Sequence, residues 1–152
     1  MNVLFISPNS PLESVGGVER YILNLIDYCK NQPLLKAVII LPAFNENYVE
    51  ESGSVTTYFE TSIALLKNLS GKEISEKSQG FSKVVENIIV KHKIDIICAE
   101  NFHVGLPPAY ILILNMIAAL HKIPLILRLH YLSISPLQIY LVNRIMWNKI
   151  SC

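Results

Sequence analysis

The sequence is short of charge, and this shortage excludes two classes of protein. Only 16% of the 152 residues are charged and 51% are hydrophobic, a balance that excludes disorder over most of the length. The formal net charge is +1 and the chain has three arginines, Arg20, Arg128 and Arg144, so it lacks a basic patch for nucleic acid. We therefore expect one folded domain that does not bind nucleic acid.

Cysteine is too sparse and too scattered for a disulfide framework or a zinc site. The three residues, Cys29, Cys98 and Cys152, are odd in number, far apart and without C-x-x-C spacing. Such cysteine usage favours a reducing compartment, so the predicted location is the cytosol.

Long hydrophobic runs are also missing. Residues 1–7 have no basic region and contain four consecutive apolar residues, which predicts a first β-strand rather than a signal peptide. The most apolar tract, at 109–120, spans 12 residues and includes Asn115, whereas a membrane span needs about 17–25 residues. The tract is predicted to be a buried helix, and the chain to be soluble or at most peripheral to a membrane.

Apolar strands alternate with helical patterns along the chain. The predicted strands lie at 3–6, 37–41, 55–59, 94–99 and 124–129. The predicted helices lie at 18–31, 81–92, 104–121 and 136–150, and polar surface loops are predicted at 45–54 and 68–80. Strands that are apolar throughout are typical of an α/β fold in which helices cover both faces of a parallel sheet.

The first candidate site is the glycine pair Gly16–Gly17, between the first strand and the first helix. Ligands of such sheets bind at the carboxyl ends of the strands. Two glycines let the backbone approach a ligand, and the free N–H groups of a helix N-terminus favour an anion such as phosphate. A turn that needs positive φ is the alternative explanation, and the G-x-G-x-x-G dinucleotide fingerprint is absent.

Two further candidates follow the fourth and fifth strands. Glu100, Asn101 and His103 offer groups that can bind hydroxyls or transfer a proton, unless Glu100 or Asn101 only caps the next helix. Arg128 and His130 share one face of the fifth strand's end. A charge there costs free energy unless it is paired or faces a cleft, and a purely structural His130 is the alternative.

Three segments carry a family resemblance: GGVERYILNLIDYC, KIDIICAENFHVGLP and KIPLILRLHYLS. Together they resemble the N-terminal half of retaining glycosyltransferases with the GT-B fold, glycosyltransferase family 4. The resemblance implies two Rossmann-like halves with the active site between them. It implies that this half binds mostly the acceptor and that the other half binds mostly the nucleotide sugar.

The resemblance also implies roles for individual residues. Gly16 and Gly17 correspond to a glycine pair beside the donor diphosphate and sugar, and His130 to a histidine that approaches sugar and acceptor, which makes it the catalytic candidate. The acceptor-side candidates are Glu100, Asn101, His103 and Arg128. Many members carry a histidine where this chain has Glu100, so the match is weakest there.

The implied reaction is transfer of a hexose or related sugar from a nucleotide diphosphate sugar to a saccharide or lipid-linked acceptor, with retention of configuration. The nucleotide sugar is a co-substrate, and neither a metal nor another cofactor is expected. The family's paired glutamates of the C-terminal donor domain are not found within residues 1–152. We therefore expect an expressed domain or a truncated chain that has no transferase activity alone.

Several alternatives stay open. An enzyme with a lipid-linked acceptor would work at the inner face of the membrane, and the apolar helix at 136–150 would suit a homodimer. A nucleotide-binding domain of other chemistry is disfavoured by the missing glycine-rich and Walker patterns. A non-catalytic module that binds carbohydrate or docks a partner is the main alternative function.

Overall fold

The computed structural model describes residues 1–11, 16–64, 70–100 and 108–128. In this part of the chain the elements follow in the order β1 (Asn2–Ile6), α1 (Gly17–Lys30), β2 (Lys36–Pro42), β3 (Tyr48–Ser52), β4 (Val55–Glu60), α2 (Gly71–His92), β5 (Ile96–Glu100), α3 (Pro108–His121) and β6 (Leu125–Arg128).

The six strands form one sheet in the order β3-β4-β2-β1-β5-β6. All neighbours are parallel except β3, which pairs antiparallel with β4. Every strand that the sequence predicts is present, and the predicted parallel α/β fold is confirmed. In the register, Ile6 at the end of β1 lies between Ile40 and Ala99.

Helices cover both faces of the sheet and close two apolar cores. On one face α1 packs against β2 and β4, and the buried side chains include Val18, Ile22, Cys29, Ile39, Leu41 and Phe59. On the other face α2 and α3 pack together over the sheet, and the buried side chains include Leu4, Ile40, Phe81, Ile97, Tyr110 and Leu114. Successive strand residues point to opposite faces, so the central strands are apolar throughout.

The prediction of a surface loop at 68–80 is wrong, because α2 begins at Gly71. Ser70 and Glu73 form a capping box: the Glu73 amide donates to the Ser70 hydroxyl at 3.3 Å, and the Ser70 amide donates to the Glu73 carboxylate at 2.8 Å. The box satisfies backbone groups that a helix N-terminus otherwise leaves unpaired. It starts the helix although residues 71–80 are mostly polar.

The loop predicted at 45–54 is also wrong, because it contains the edge strand β3. All five residues of β3 are exposed, so the strand has no apolar pattern to reveal it. A hairpin joins it to β4 through Gly53, whose φ of 61° is the left-handed region that glycine enters without strain. The Tyr48 ring stacks on Phe59 of β4, with centroids 4.3 Å apart.

The described part of α3 runs from Pro108, and the predicted start of this helix at residue 104 lies outside the described residues. Residues 101–107 and the predicted helix at 136–150 lie outside the described residues. Within the described ranges no helix is both long and apolar enough to cross a membrane.

Ser70→Ala is expected to lower the free energy of unfolding by about 1 kcal/mol, because it removes the helix cap. Hydrogen bonds from Ser70 lower the pKa of the Glu73 carboxyl below 4.5, so the share of the cap that comes from the charged carboxylate is present above pH 4.5 and is lost as the pH falls further. Urea unfolding at neutral and acid pH measures both effects. Ser75→Ala, at an exposed position of the same helix, is the control, and an equal loss there would contradict the prediction.

Candidate functional site

The carboxyl ends of β1 and β5 form the point at which the sheet changes winding direction. These strands are neighbours, yet the helix after β1 packs on one face of the sheet and α3, after β5, packs on the other. A crevice opens at such a switch point, and open α/β sheets bind their ligands there. The residues beside it are the loop that begins at Ser7 and the last residue of β5, Glu100.

The loop after β1 is tied to the first turn of α1. The Asn9 amide donates to the Ser7 hydroxyl at 3.1 Å, and the Asn9 side-chain amide donates to Glu19 Oε1 at 3.1 Å. Ser7, Ser10 and Glu19 are buried. Polar contacts therefore hold the described part of the loop against the first turn of α1.

The two glycines of the pair have different structural reasons to be glycine. Neither has positive φ, and Gly16, the N-cap of α1, is extended at φ −97°, so the positive-φ turn is not the explanation. A Cβ atom on Gly16 would lie 2.5 Å from Glu19 Oε2, whereas a Cβ atom on Gly17 would meet no atom of the described residues within 4 Å. The position of the Glu19 carboxylate thus accounts for Gly16, while Gly17 is exposed at the helix N-terminus.

Glu100, Arg128 and Tyr21 form a polar cluster on the face of the sheet that α1 covers. The Tyr21 hydroxyl donates to Glu100 Oε1 at 3.5 Å, and Arg128 Nη1 lies 3.7 Å from the same oxygen. Arg128 Nη1 also donates to the Tyr21 hydroxyl oxygen, and its guanidinium carbon lies 5.2 Å from the centre of the Tyr21 ring. We call these three residues the Tyr21–Glu100–Arg128 cluster.

Burial keeps the Tyr21 hydroxyl and the nearby Cys98 thiol protonated. Glu100 is only 1% exposed, and a buried carboxylate needs a cation and hydrogen-bond donors to offset its lost hydration. Burial, and then the Glu100 charge, raises the pKa of Tyr21, which keeps its hydroxyl protonated as the donor. The same two causes raise the pKa of the neighbouring Cys98, so this thiol is not a thiolate nucleophile at neutral pH.

The structure brings together some of the residues that the sequence singles out. Glu100 and Arg128 are paired, and Tyr21 joins them to the helix that Gly17 begins. The candidates Asn101, His103 and His130 lie outside the described residues, and their roles stay predictions.

Sequence reasoning missed Tyr21, because its helical spacing places it on the apolar face of α1. The signal that could have found it is its hydroxyl, since a tyrosine on a buried face needs a polar partner.

A second buried carboxylate, Glu60, ends β4 at the far side of the same sheet edge. It is 7% exposed and accepts from the Asn47 side-chain amide at 2.7 Å. Burial raises the pKa of Glu60. No group of three or more His, Cys, Asp or Glu side chains in the described ranges could hold a metal ion.

Substitution by alanine is expected to have opposite effects at the two glycines of the pair. Gly16→Ala is expected to lower the free energy of unfolding by roughly 1 kcal/mol, because the buried Glu19 carboxylate must shift away from the new Cβ atom, which weakens its hydrogen bond with Asn9. Gly17→Ala is expected to raise it by about 0.5 kcal/mol, because alanine is the better helix residue and has room. Chemical denaturation of both variants measures the difference, and equal effects would contradict it.

Glu60→Gln is expected to raise the Tm near pH 7. Burial raises the folded-state pKa of Glu60 above 4.5. The stability that protonated Glu60 allows is therefore fully present below pH 4.5, and it is lost as the pH rises through the folded pKa and the buried charge forms. Glutamine keeps an acceptor for Asn47 without that charge. The gain should shrink near pH 4 in thermal melts, and the exposed Glu50→Gln is the control. A lower Tm near pH 7 would contradict the prediction.

Comparison with known proteins identifies the fold. No protein-family model and no curated protein sequence matches the chain. Among solved structures it is similar to sucrose-phosphate synthase from Thermosynechococcus elongatus, with a TM-score of 0.60 and 12% sequence identity. The alignment covers 95% of this chain and 39% of that one. The chain therefore has a Rossmann-like α/β fold that is also found in part of a glycosyltransferase.

Proposed function

We propose that the chain is the acceptor-side domain of a retaining glycosyltransferase of the GT-B type. The observation that carries the proposal is the arrangement at the switch point: Gly17 faces open space at the start of α1, and Tyr21, one turn later, contacts Glu100 and Arg128. A helix N-terminus and a polar cluster thus lie at the same edge of the sheet, where open α/β sheets bind their ligands. The fold shared with a glycosyltransferase supports the same function.

The donor diphosphate is assigned to the Gly17 side of the helix end. Backbone N–H groups and the helix dipole favour an anion there, and a side chain at Gly17 would occupy the approach. The Glu19 carboxylate already lies beside Gly16, and its negative charge would repel the diphosphate. Cations from a second domain must therefore complete the diphosphate site in the whole protein.

The acceptor is assigned to the strand ends. Arg128 has a side chain that is 52% exposed and can touch a ligand, whereas the side chain of Glu100 is 2% exposed and can act only by orienting its neighbours. His130 follows Arg128 by two residues and is the proposed catalytic residue, with Asn101 and His103 as further acceptor contacts. The proposed reaction moves a sugar from a nucleotide sugar to a saccharide or lipid-linked acceptor, without a metal.

The proposed setting of the enzyme is the cytosol. A lipid-linked acceptor would bring the enzyme to the inner face of the membrane. Pairing of two copies through residues 136–150 remains part of the proposal, and those residues lie outside the described ranges.

His130→Ala in the whole protein is expected to lower kcat by about 100-fold or more, because loss of a group that acts in the transition state appears in the rate. Gly17→Val is expected to raise the KM for the nucleotide sugar by blocking the backbone. The measurement is turnover against a panel of nucleotide sugars, with thermal melts of each variant.

His121→Ala is the matched control, since His121 ends α3 away from the strand ends. Normal turnover in both site variants would remove Gly17 and His130 from the site. Binding of sugar acceptors with no transfer from any donor would favour the non-catalytic carbohydrate-binding module instead.

A further inference from the structure

Among the described residues, the polar contacts of the Arg128 guanidinium use one of its three nitrogens. Its contacts with the Tyr21 hydroxyl and with Glu100 both use Nη1. Nη2 and Nε make no hydrogen bond to any residue in the described ranges. The side chain is half exposed at the carboxyl edge of the sheet, so two donor-bearing nitrogens are free to meet a ligand.

Tyr21 controls where those nitrogens point. Its hydroxyl takes a hydrogen bond from Nη1, and its ring lies against the guanidinium carbon at 5.2 Å. The phenol therefore restrains both the position and the plane of a long side chain that would otherwise sample many rotamers. The Tyr21 hydroxyl is in turn directed by Glu100, which is too buried to reach a ligand itself.

The chemistry of the free donors selects the ligand. A guanidinium presents parallel N–H bonds in a rigid plane, and this fork matches two oxygens of a phosphate or carboxylate. A single sugar hydroxyl satisfies only one such donor. Because Glu100 lies on the Nη1 side at 3.7 Å, it offsets part of the positive charge without occupying the fork.

We propose that Tyr21 is a positioning residue that presents Nη2 and Nε of Arg128 to an oxyanion, a phosphate or a carboxylate, carried by the acceptor. The inference rests on the proposed function, in which the acceptor lies at the strand ends, and it adds the chemical class of that acceptor. The acceptor is an anionic sugar or an anionic sugar derivative.

Nitrogen-15 NMR of the 152-residue chain tests the oxyanion site directly. The sequence has only three arginines, so the Nε–H region contains few signals, and Arg128→Lys identifies the one from Arg128. The probes are glucose, glucose 6-phosphate and glucuronate. We expect a saturable shift of the Arg128 signal with one or both anionic sugars and none with glucose. A response to one anion alone identifies the group as phosphate or as carboxylate.

Tyr21→Phe tests the positioning role, since it keeps the ring and removes the hydroxyl. We expect its dissociation constant for the anionic sugar to rise roughly fivefold, the effect of losing one orienting hydrogen bond. Tyr28→Phe, at an exposed position of the same helix, should bind as the unaltered chain does. Arg128→Lys keeps the charge but loses the fork, and should bind at least as poorly as Tyr21→Phe.

Several outcomes would overturn the inference. These are an equal shift with glucose, no shift with either anion, and unchanged anion affinity in Tyr21→Phe or in Arg128→Lys. A purely structural Tyr21 would lower the Tm of Tyr21→Phe and leave the preference for anionic over neutral sugar unchanged, which also overturns it.

Failure of this inference and failure of the proposed function give different results. If the whole protein transfers sugar to a neutral acceptor and Tyr21→Phe does not change the KM for that acceptor, the oxyanion site is disproved and the proposed glycosyltransferase function is retained. If Arg128 binds the anion but the whole protein transfers no sugar from any donor, the oxyanion site is retained and the proposed glycosyltransferase function is disproved.

Discussion

The buried carboxylate of Glu100 is the constraint on which the site depends. Without water around it, this charge must be matched by protein groups, and the groups that match it come from distant parts of the chain. Tyr21 is 79 residues from Glu100 in the sequence, and Arg128 lies opposite Glu100 on the neighbouring strand β6. These contacts link Tyr21 of α1 to the ends of β5 and β6. The helix start at Gly17 is therefore held in a set place relative to the strand ends.

The sequence is informative about the fold wherever burial leaves a pattern. The parallel strands are buried between helices, so continuous apolar runs such as 37–41 predict them. The edge strand β3 is exposed at every position and therefore carries no such pattern. The first half of α2 is mostly polar, and its only local signal is the spacing of Ser70 and Glu73. Both errors arise where exposure removes the hydrophobic signal.

The candidate site is predictable in its location and less so in its contacts. Because parallel strands end at one edge, sequence alone places Gly17, Glu100 and Arg128 near each other. It cannot pair them, since which side chains meet depends on strand order and on which face α1 covers. Tyr21 shows this limit, because helical spacing assigns it to a core while its hydroxyl serves the polar cluster.

The exposed hairpin at the β3 edge has a consequence for how copies of the chain meet. An open strand edge offers unpaired backbone groups to any similar strand, and association through it is the common hazard of sheet proteins. Here the edge carries Glu50 and Glu51, both exposed. If the β3 strands of two copies paired, Glu50 and Glu51 of one copy would lie beside Glu50 and Glu51 of the other, and their like charges would repel. Self-association by sheet extension is thus opposed at this end of the sheet.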